Sequence, residues 1–105
     1  MPLQTAYIAE ERRLDLIVDG NLDLTLTQDI CNLCRRASSE LVTCIVDLSG
    51  VDRVFDSGVA LLHMLYRRLE KLGTVVVILS DHPRVCKHIP ACRGSVHRRA
   101  AAPPS

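Results

Sequence analysis

Cysteine and histidine are the residues of this chain whose types and spacing could hold a metal ion. Cys31 and Cys34 have the C-x-x-C spacing of zinc ligands, and a cluster of these residue types follows later, formed by His82, Cys86, His88 and Cys92. The first two, however, fall within the apolar rhythm of Leu26, Ile30 and Leu33, so at least one of these thiols is expected to face the core from a helix. We therefore predict no metal site.

The cysteine count also bears on redox chemistry and on the compartment. The chain has five cysteines, an odd number, and its N-terminus lacks the basic and apolar segments of a signal peptide. We therefore expect a cytoplasmic protein without a disulfide framework. A redox-active C-x-x-C opens a helix after a strand, whereas Cys31 and Cys34 lie inside a predicted helix.

Catalytic and cofactor-binding motifs are absent from the sequence. It contains no G-x-S-x-G, no Walker A motif and no G-x-G-x-x-G. Asp47, Asp52 and Asp56 are interpreted as loop or helix-capping residues, and His63 as a solvated side chain on the polar face of a helix. We predict that the protein is not an enzyme and has no cofactor.

Residues 47–62 do combine features that suit recognition. A buried strand ends in a polar turn, and a short loop then delivers Asp56 and Ser57 to the start of an amphipathic helix. Backbone N–H groups at a helix start are unpaired donors that favour an anion, so a hydroxyl there is both a cap and a natural place for a phosphate. Helix capping alone also explains these two residues.

Length and composition indicate one domain. The chain has 105 residues, of which 48% are hydrophobic and 24% charged, and no apolar run is long enough to cross a bilayer.

Residues 1–81 carry 8 Lys and Arg against 12 Asp and Glu, whereas residues 82–105 carry 5 Lys and Arg and no acid. We expect this basic tail to be solvated. With no Trp and 1 Phe, the chain is not expected to contact nucleic acid directly.

Hydrophobic periodicity predicts the elements that must position residues 47–62. The strands are residues 4–10, 13–19, 41–48 and 74–80, and the helices are residues 27–37, 57–72 and 83–89. Turns or caps are predicted at Glu11-Arg12, Gly20-Asn21, Ser49-Gly50, Thr27 and Gly73, and at the start of the second helix through Asp56 or Ser57. The strand at 41–48 is expected to be buried on both faces. The order β-β-α-β-α-β-α indicates an α/β fold with a mixed sheet flanked by helices.

The helix at residues 57–72 has the clearest apolar face. Its leucines recur at helical spacing, at Leu61, Leu62, Leu65, Leu69 and Leu72. His63 and Arg67 lie on the opposite, polar face. The leucine face is therefore predicted to pack on the sheet and the polar face to remain available to a partner.

Three short motifs occur in a fixed order along the chain. They are Gly20-Asn21-Leu22-Asp23, Asp47-Leu48-Ser49-Gly50-Val51 and Gly58-Val59-Ala60-Leu61-Leu62. In this order they resemble the G-x-L-D, D-L-S-G-V and second-helix motifs of the STAS domain family, the fold of bacterial anti-sigma factor antagonists. The resemblance implies a single STAS-like domain at residues 1–89 and a basic tail at 90–105. The family's usual last helix is expected to be missing or replaced, since Pro90 and the basic tail follow the third helix.

The resemblance also assigns a regulatory position. The family's D-[ST]-[SA]-G, which contains the phosphoacceptor Ser or Thr, falls without a gap on Phe55-Asp56-Ser57-Gly58. Asp56 then holds the phosphoacceptor position, and Ser57 beside it is the alternative acceptor. A shift of one residue would make Asp56 and Ser57 the family's D-S pair, at the cost of a deletion.

The same resemblance implies a regulatory module that binds a serine kinase-type anti-sigma factor and so releases a sigma factor. The implied contact surface is the loop at residues 50–57 and the exposed face of the second helix, with Arg53, Phe55, Asp56, Ser57, Gly58, His63 and Arg67. The alternative is a STAS subunit of a lipid-transport ABC assembly, packed against its ATPase. The sequence leaves open whether the chain forms a homodimer. No membrane insertion is expected.

Overall fold

The computed structural model describes residues 3–90 and 92–93. Its strands are β1 (Leu3–Ile8), β2 (Arg13–Leu22), β3 (Thr43–Val54), β4 (Val75–Leu79) and β5 (Cys92–Arg93), and its helices are α1 (Thr27–Arg36), α2 (Asp56–Lys71) and α3 (Pro83–His88). Short 3₁₀ turns at Ala9–Glu11 and Leu24–Leu26 precede β2 and α1. The predicted order β-β-α-β-α-β-α is therefore confirmed, with a short further strand after it.

The strands form one sheet in the order β1-β2-β3-β4-β5. β1 and β2 run antiparallel, from Leu3 opposite Val18 to Ile8 opposite Arg13, and the predicted turn at Glu11-Arg12 lies between them. The later neighbours are parallel, and each parallel connection contains one of the helices. The mixed sheet predicted from the sequence is confirmed.

The core lies between one face of the sheet and the three helices. Alternate residues of the central strands are buried, as the pleat requires, at Leu16, Val18, Cys44, Val46 and Ile78. The predicted leucine face of α2 covers them with Leu62, Leu65 and Leu69, and α1 and α3 join the same core through Ile30, Val85 and Ile89. The packing face of α2 is therefore the predicted one, although Leu61 and Leu72 are only half-buried.

The other face of the sheet carries none of the described helices. Ile45 of β3 is half-buried, and Val75 of β4 is 59% exposed. The prediction that the third strand is buried on both faces is therefore wrong. A continuous run of β-branched residues fits a sheet with one covered face as well, because β-branched side chains also favour the pleated backbone on the open face.

β2 and β3 extend further than the sequence predicts, and this shapes the candidate site. The prediction that Gly20-Asn21 and Ser49-Gly50 end these strands is wrong. Gly20 adopts a φ of +81°, and the β2–β3 ladder shifts register around it. The glycine therefore forms a β-bulge within the strand and does not end it. Pairing continues to Leu22 opposite Val54. Most of the predicted loop at residues 50–57 is therefore strand.

The start of α1 also differs from prediction. Oδ1 of Asp23 accepts a hydrogen bond from the N–H of Thr25 at 2.9 Å, so Asp23 caps the 3₁₀ turn that leads into the helix. Thr27 does not cap α1, because its hydroxyl donates to the carbonyl oxygen of Leu24 at 2.6 Å. The predicted end of α2 at Gly73 is confirmed, since that residue has a φ of +85°.

The chain after α3 departs from the predicted tail. A disulfide joins Cys86 of α3 to Cys92, whereas no disulfide framework is expected from the sequence. Cys92 and Arg93 form β5 beside β4, within the segment predicted as tail. The turn after α3 brings the two cysteines together, with their Cα atoms 5.2 Å apart. Residues 91 and 94–105 of the predicted tail lie outside the described residues.

Among the described residues, no helix is long and apolar enough to span a membrane.

Candidate functional site

The predicted partner surface lies where β3 ends and α2 begins. Arg53 is exposed near the end of β3, and Asp56 is the first residue of α2. Phe55 joins strand to helix with an extended backbone, and its N–H donates to the carbonyl oxygen of Leu22 at 3.0 Å. This hydrogen bond ties the junction to the end of β2. Arg53, Phe55 and Asp56 therefore occupy neighbouring positions on a fixed backbone.

The start of α2 carries no side-chain cap. Phe55 precedes the helix, and its carbonyl oxygen accepts from the N–H groups of Gly58 at 2.9 Å and Val59 at 3.1 Å. The prediction that Asp56 or Ser57 caps the helix through its side chain is therefore wrong. Asp56 and Ser57 are the first and second residues of the helix, beyond the capping position at Phe55, and the side chain of Asp56 is exposed.

Gly58 sets how closely α2 approaches β2. It is buried, and a Cβ atom here would lie 2.2 Å from the carbonyl oxygen and 2.3 Å from the carbonyl carbon of Leu22. Backbone atoms cannot rotate away from such a contact, so only glycine fits. Gly58 is thus placed beneath the predicted surface, where it determines the position of Phe55 and Asp56.

Asp56 is highly exposed but has a neighbour of opposite charge. Its side chain is 93% exposed, and Nη1 of Arg84 in α3 lies 3.2 Å from its Oδ1. The same Nη1 donates to the carbonyl oxygen of Val54 at 3.3 Å. Ion pairs this exposed contribute little to stability, so the contact matters for the charge of the surface. Arg84 is not among the residues predicted from the sequence.

The first turn of α3 holds Arg84 in place. His82 caps this helix, with Nδ1 accepting from the N–H of Arg84 at 3.2 Å, and the hydroxyl of Ser80 accepts from the N–H of His82 at 3.1 Å. Pro83 occupies the first helical position. An open concavity beside Asp56 is lined by Asp52, Arg53, Val54, Phe55, His82 and Arg84. Charges of both signs therefore surround one exposed aromatic ring.

The remaining predicted residues lie along α2. Ser57 and His63 are half-buried, and the ring of His63 lies 6.3 Å from that of Tyr66. Arg67 is exposed, about 16 Å from Asp56 along a helix that rises 1.5 Å per residue. Met64, 41% exposed on the same stretch, is an apolar residue that was not predicted. The structure thus clusters Arg53, Phe55, Asp56 and Ser57 and spreads the others along one helix.

The residues of this surface offer contacts suited to binding. Among residues 3–90 and 92–93, no group of three or more His, Cys, Asp or Glu is arranged to hold a metal ion. Phe55 is 42% exposed and offers an apolar contact, while Arg53, Asp56 and Arg84 offer charged ones. An exposed aromatic residue among charges is the composition found at protein interfaces.

Comparison with known proteins gives structural relatives only. No family model matches the chain, and no curated protein matches its sequence. The anti-sigma factor antagonist SpoIIAA in its unphosphorylated form superposes with a TM-score of 0.70 at 17% identity, over 94% of this chain and 94% of SpoIIAA. The phosphorylated form of this Bacillus cell fate determinant gives a TM-score of 0.67 at 17% identity, over 94% and 96% of the two chains.

A second structure shares this fold over a small part of its length. Mglu superposes with a TM-score of 0.63 at 23% identity over 78% of this chain, but the match spans only 20% of Mglu. At such identities the likeness establishes the fold. The match to SpoIIAA is end to end, and it shows that the chain has the STAS fold that the sequence motifs predict.

Proposed function

We propose that this chain is a regulatory protein-binding module of the anti-sigma factor antagonist type, acting in the cytoplasm without catalysis of its own. Its partner is a serine kinase-type anti-sigma factor, and binding releases the sigma factor that this partner holds. The contact surface comprises Arg53, Phe55, Asp56, Ser57, His63 and Arg67, with Gly58 beneath it. The STAS fold shared with SpoIIAA supports this proposal.

One observation carries the proposal, namely an aromatic ring and a carboxylate exposed side by side on a rigid junction. Phe55 is 42% exposed, and the side chain of Asp56 is 93% exposed. Leaving a large apolar side chain in water is unfavourable, and interfaces commonly use such residues as central anchors with charges around them. The backbone hydrogen bond of Phe55 to Leu22 fixes this anchor before any partner binds.

Asp56 has a consequence for regulation. In the family that the chain resembles, this position holds the Ser or Thr that a kinase modifies, and aspartate cannot accept a stable phosphate from a serine kinase. Its carboxylate brings one negative charge, where phosphoserine brings about 1.5 to 2. Arg84 already faces this charge at 3.2 Å. We therefore propose that the complex is constitutive and is not switched by phosphorylation at residue 56.

Incubation of the whole chain with the partner kinase and ATP tests this part of the proposal. The intact mass of the wild type is expected to show no phosphate, whereas Asp56→Ser gains one. Phosphate on the wild type that disappears in Ser57→Ala would contradict the proposal. That result would assign the modification to Ser57 and favour the alignment shifted by one residue.

Pull-down from the organism that encodes the chain tests the partner. Recovery of a kinase-like anti-sigma factor supports the proposal, whereas recovery of an ABC ATPase would favour the STAS subunit of a lipid-transport ABC assembly. Phe55→Ala is the matched bait, because it removes the exposed ring and leaves the core intact. A specific partner is retained by the wild type and lost with this variant, while a contaminant is retained by both.

A further inference from the structure

The disulfide between Cys86 and Cys92 lies close to the candidate site but has no part in the function proposed above. Cys86 is exposed at the end of α3, and Cys92 is half-buried in β5. Disulfides are scarce in the cytoplasm, and those that occur there are usually transient and catalytic or redox-sensing. In the compartment proposed above, this pair is therefore expected to change its oxidation state.

The surroundings of the pair suit both oxidation states. The two sulfur atoms flank the carbonyl oxygen of Ser80, with Sγ of Cys86 at 3.2 Å and Sγ of Cys92 at 3.0 Å. Ser80 is buried, with 5% of its surface exposed. A carbonyl oxygen has two lone pairs, and a thiol S–H is a weak donor, so both thiols of the reduced form have an acceptor within reach. Reduction therefore replaces the covalent link between α3 and β5 by two weak hydrogen bonds, which can open.

The disulfide also bears on the position of Arg84. α3 has only 6 residues, and helices this short are not stable by themselves. The contacts that hold it include Val85 and the following Ile89 in the core, both 0% exposed, the cap by His82, and the disulfide to β5. Arg84 precedes Cys86 by two residues and reaches Asp56 from this helix. The disulfide therefore lies two residues along the same helix from the charge that faces Asp56.

We propose that Cys86 and Cys92 form a reversible modification site, whose oxidised state holds α3 against β5 and Arg84 against Asp56. Reduction releases the end of α3 and lets Arg84 leave the carboxylate, which lowers the affinity of the surface for its partner. The effect on affinity rests on the function proposed for that surface. The oxidation state itself and its effect on α3 do not.

The reductant is a dithiol, and the step balances as a thiol–disulfide exchange. A thiolate of the dithiol attacks Sγ of the exposed Cys86, and Cys92 leaves as a thiolate that takes up a proton. The second thiolate of the dithiol then attacks the mixed disulfide and releases Cys86, which is also protonated. The protein gains two electrons and two protons, and the dithiol becomes a disulfide. Glutathione disulfide reverses the reaction and yields two molecules of glutathione.

Alkylation followed by intact mass measures the oxidation state directly. The whole chain is treated with glutathione disulfide or with dithiothreitol, then denatured and alkylated. We expect three alkyl groups on the oxidised chain, one for each free cysteine, and five on the reduced chain. Five groups after oxidation, or three after reduction, would overturn the proposal.

Hydrogen exchange measures the effect on α3 without any partner. Reduction is expected to speed exchange of the amides in residues 84–89 about tenfold and to leave those of α2 unchanged. Equal rates in α3 in the two states would overturn the proposal. Cys31→Ser with Cys34→Ser is the matched control and keeps the response, whereas Cys86→Ser with Cys92→Ser removes it.

Binding to the anti-sigma factor separates the two proposals. We expect reduction to weaken binding by about threefold, with no change in the Cys86→Ser and Cys92→Ser double variant. Equal affinity in both states would overturn the coupling to the surface. Absence of binding in both states would overturn the proposed function, while the alkylation and exchange results still decide whether the pair is reversible.

Discussion

Replacing Gly58 by alanine tests the packing that positions the candidate surface. Alanine in a helix is usually more stable than glycine by about 1 kcal/mol. Here the added Cβ would lie 2.2 Å from the carbonyl oxygen of Leu22 and 2.7 Å from the side-chain Cγ of the same leucine. Overpacking of a rigid core costs about 1–3 kcal/mol, and the value here is expected at the upper end because backbone atoms cannot rotate away. The net loss in the free energy of unfolding is therefore about 2 kcal/mol.

Urea titration followed by circular dichroism measures this loss, and thermal unfolding offers a second readout. For a domain of about 100 residues, 2 kcal/mol corresponds to a melting temperature lower by roughly 10 °C. Ser57→Ala is the matched control, because it changes the preceding residue in the same turn and is expected to stay within about 0.5 kcal/mol. A Gly58→Ala protein as stable as the wild type would refute the proposed role of glycine in the approach of α2 to β2.

Three further predictions follow from the structure. Leu65→Ala is expected to lower the free energy of unfolding by about 2–5 kcal/mol, since Leu65 is 2% exposed, whereas Met64→Ala at the 41% exposed neighbour changes little; urea titration compares them. Burial raises the pKa of the Cys44 thiol to about 12 and also raises the pKa of the Cys34 thiol, so iodoacetamide at pH 8 should label the half-buried Cys31 first in the folded protein and leave Cys44 unmodified. Hydrogen bonds from Thr25 lower the pKa of Asp23 in the folded protein. The carboxylate therefore stabilises the fold at pH values above the unfolded-state pKa, and this stabilisation is lost as the pH falls through the folded-state pKa. Asp23→Asn should therefore show a weaker acid dependence of stability, and an unchanged dependence would contradict this.

The sequence predicts the element order because each element follows from local periodicity. The spacing of Leu62, Leu65 and Leu69 is enough to identify α2 and the face that packs. The ends of β2 and β3 depend on pairing between distant segments. Gly20 and Gly50 are strong local breakers, yet the parallel ladder continues past both of them. At these two positions the hydrogen bonds of the β2–β3 ladder therefore outweigh the local preference for a turn.

The candidate site also has one part that the sequence predicts and another part that only the tertiary structure brings together. Phe55, Asp56 and Ser57 are adjacent in the chain, so their clustering follows directly from the sequence. Arg84 lies 28 residues from Asp56, and only the packing of α3 brings the two together. The pairing of Cys86 with Cys92 likewise depends on the turn between α3 and β5. Charge compensation and disulfide pairing are tertiary properties that residue spacing alone does not reveal.

Titration calorimetry of the chain with a purified serine kinase-type anti-sigma factor from the same organism tests the central claim most directly. The wild type is expected to bind without prior phosphorylation. Phe55→Ala should weaken binding at least about tenfold, equivalent to about 1.4 kcal/mol. Tyr7→Ala, which removes a ring 57% exposed on the distant edge strand β1, should leave the affinity unchanged. Failure of the wild type to bind, or equal losses in the two variants, would contradict the assignment of the surface around Asp56.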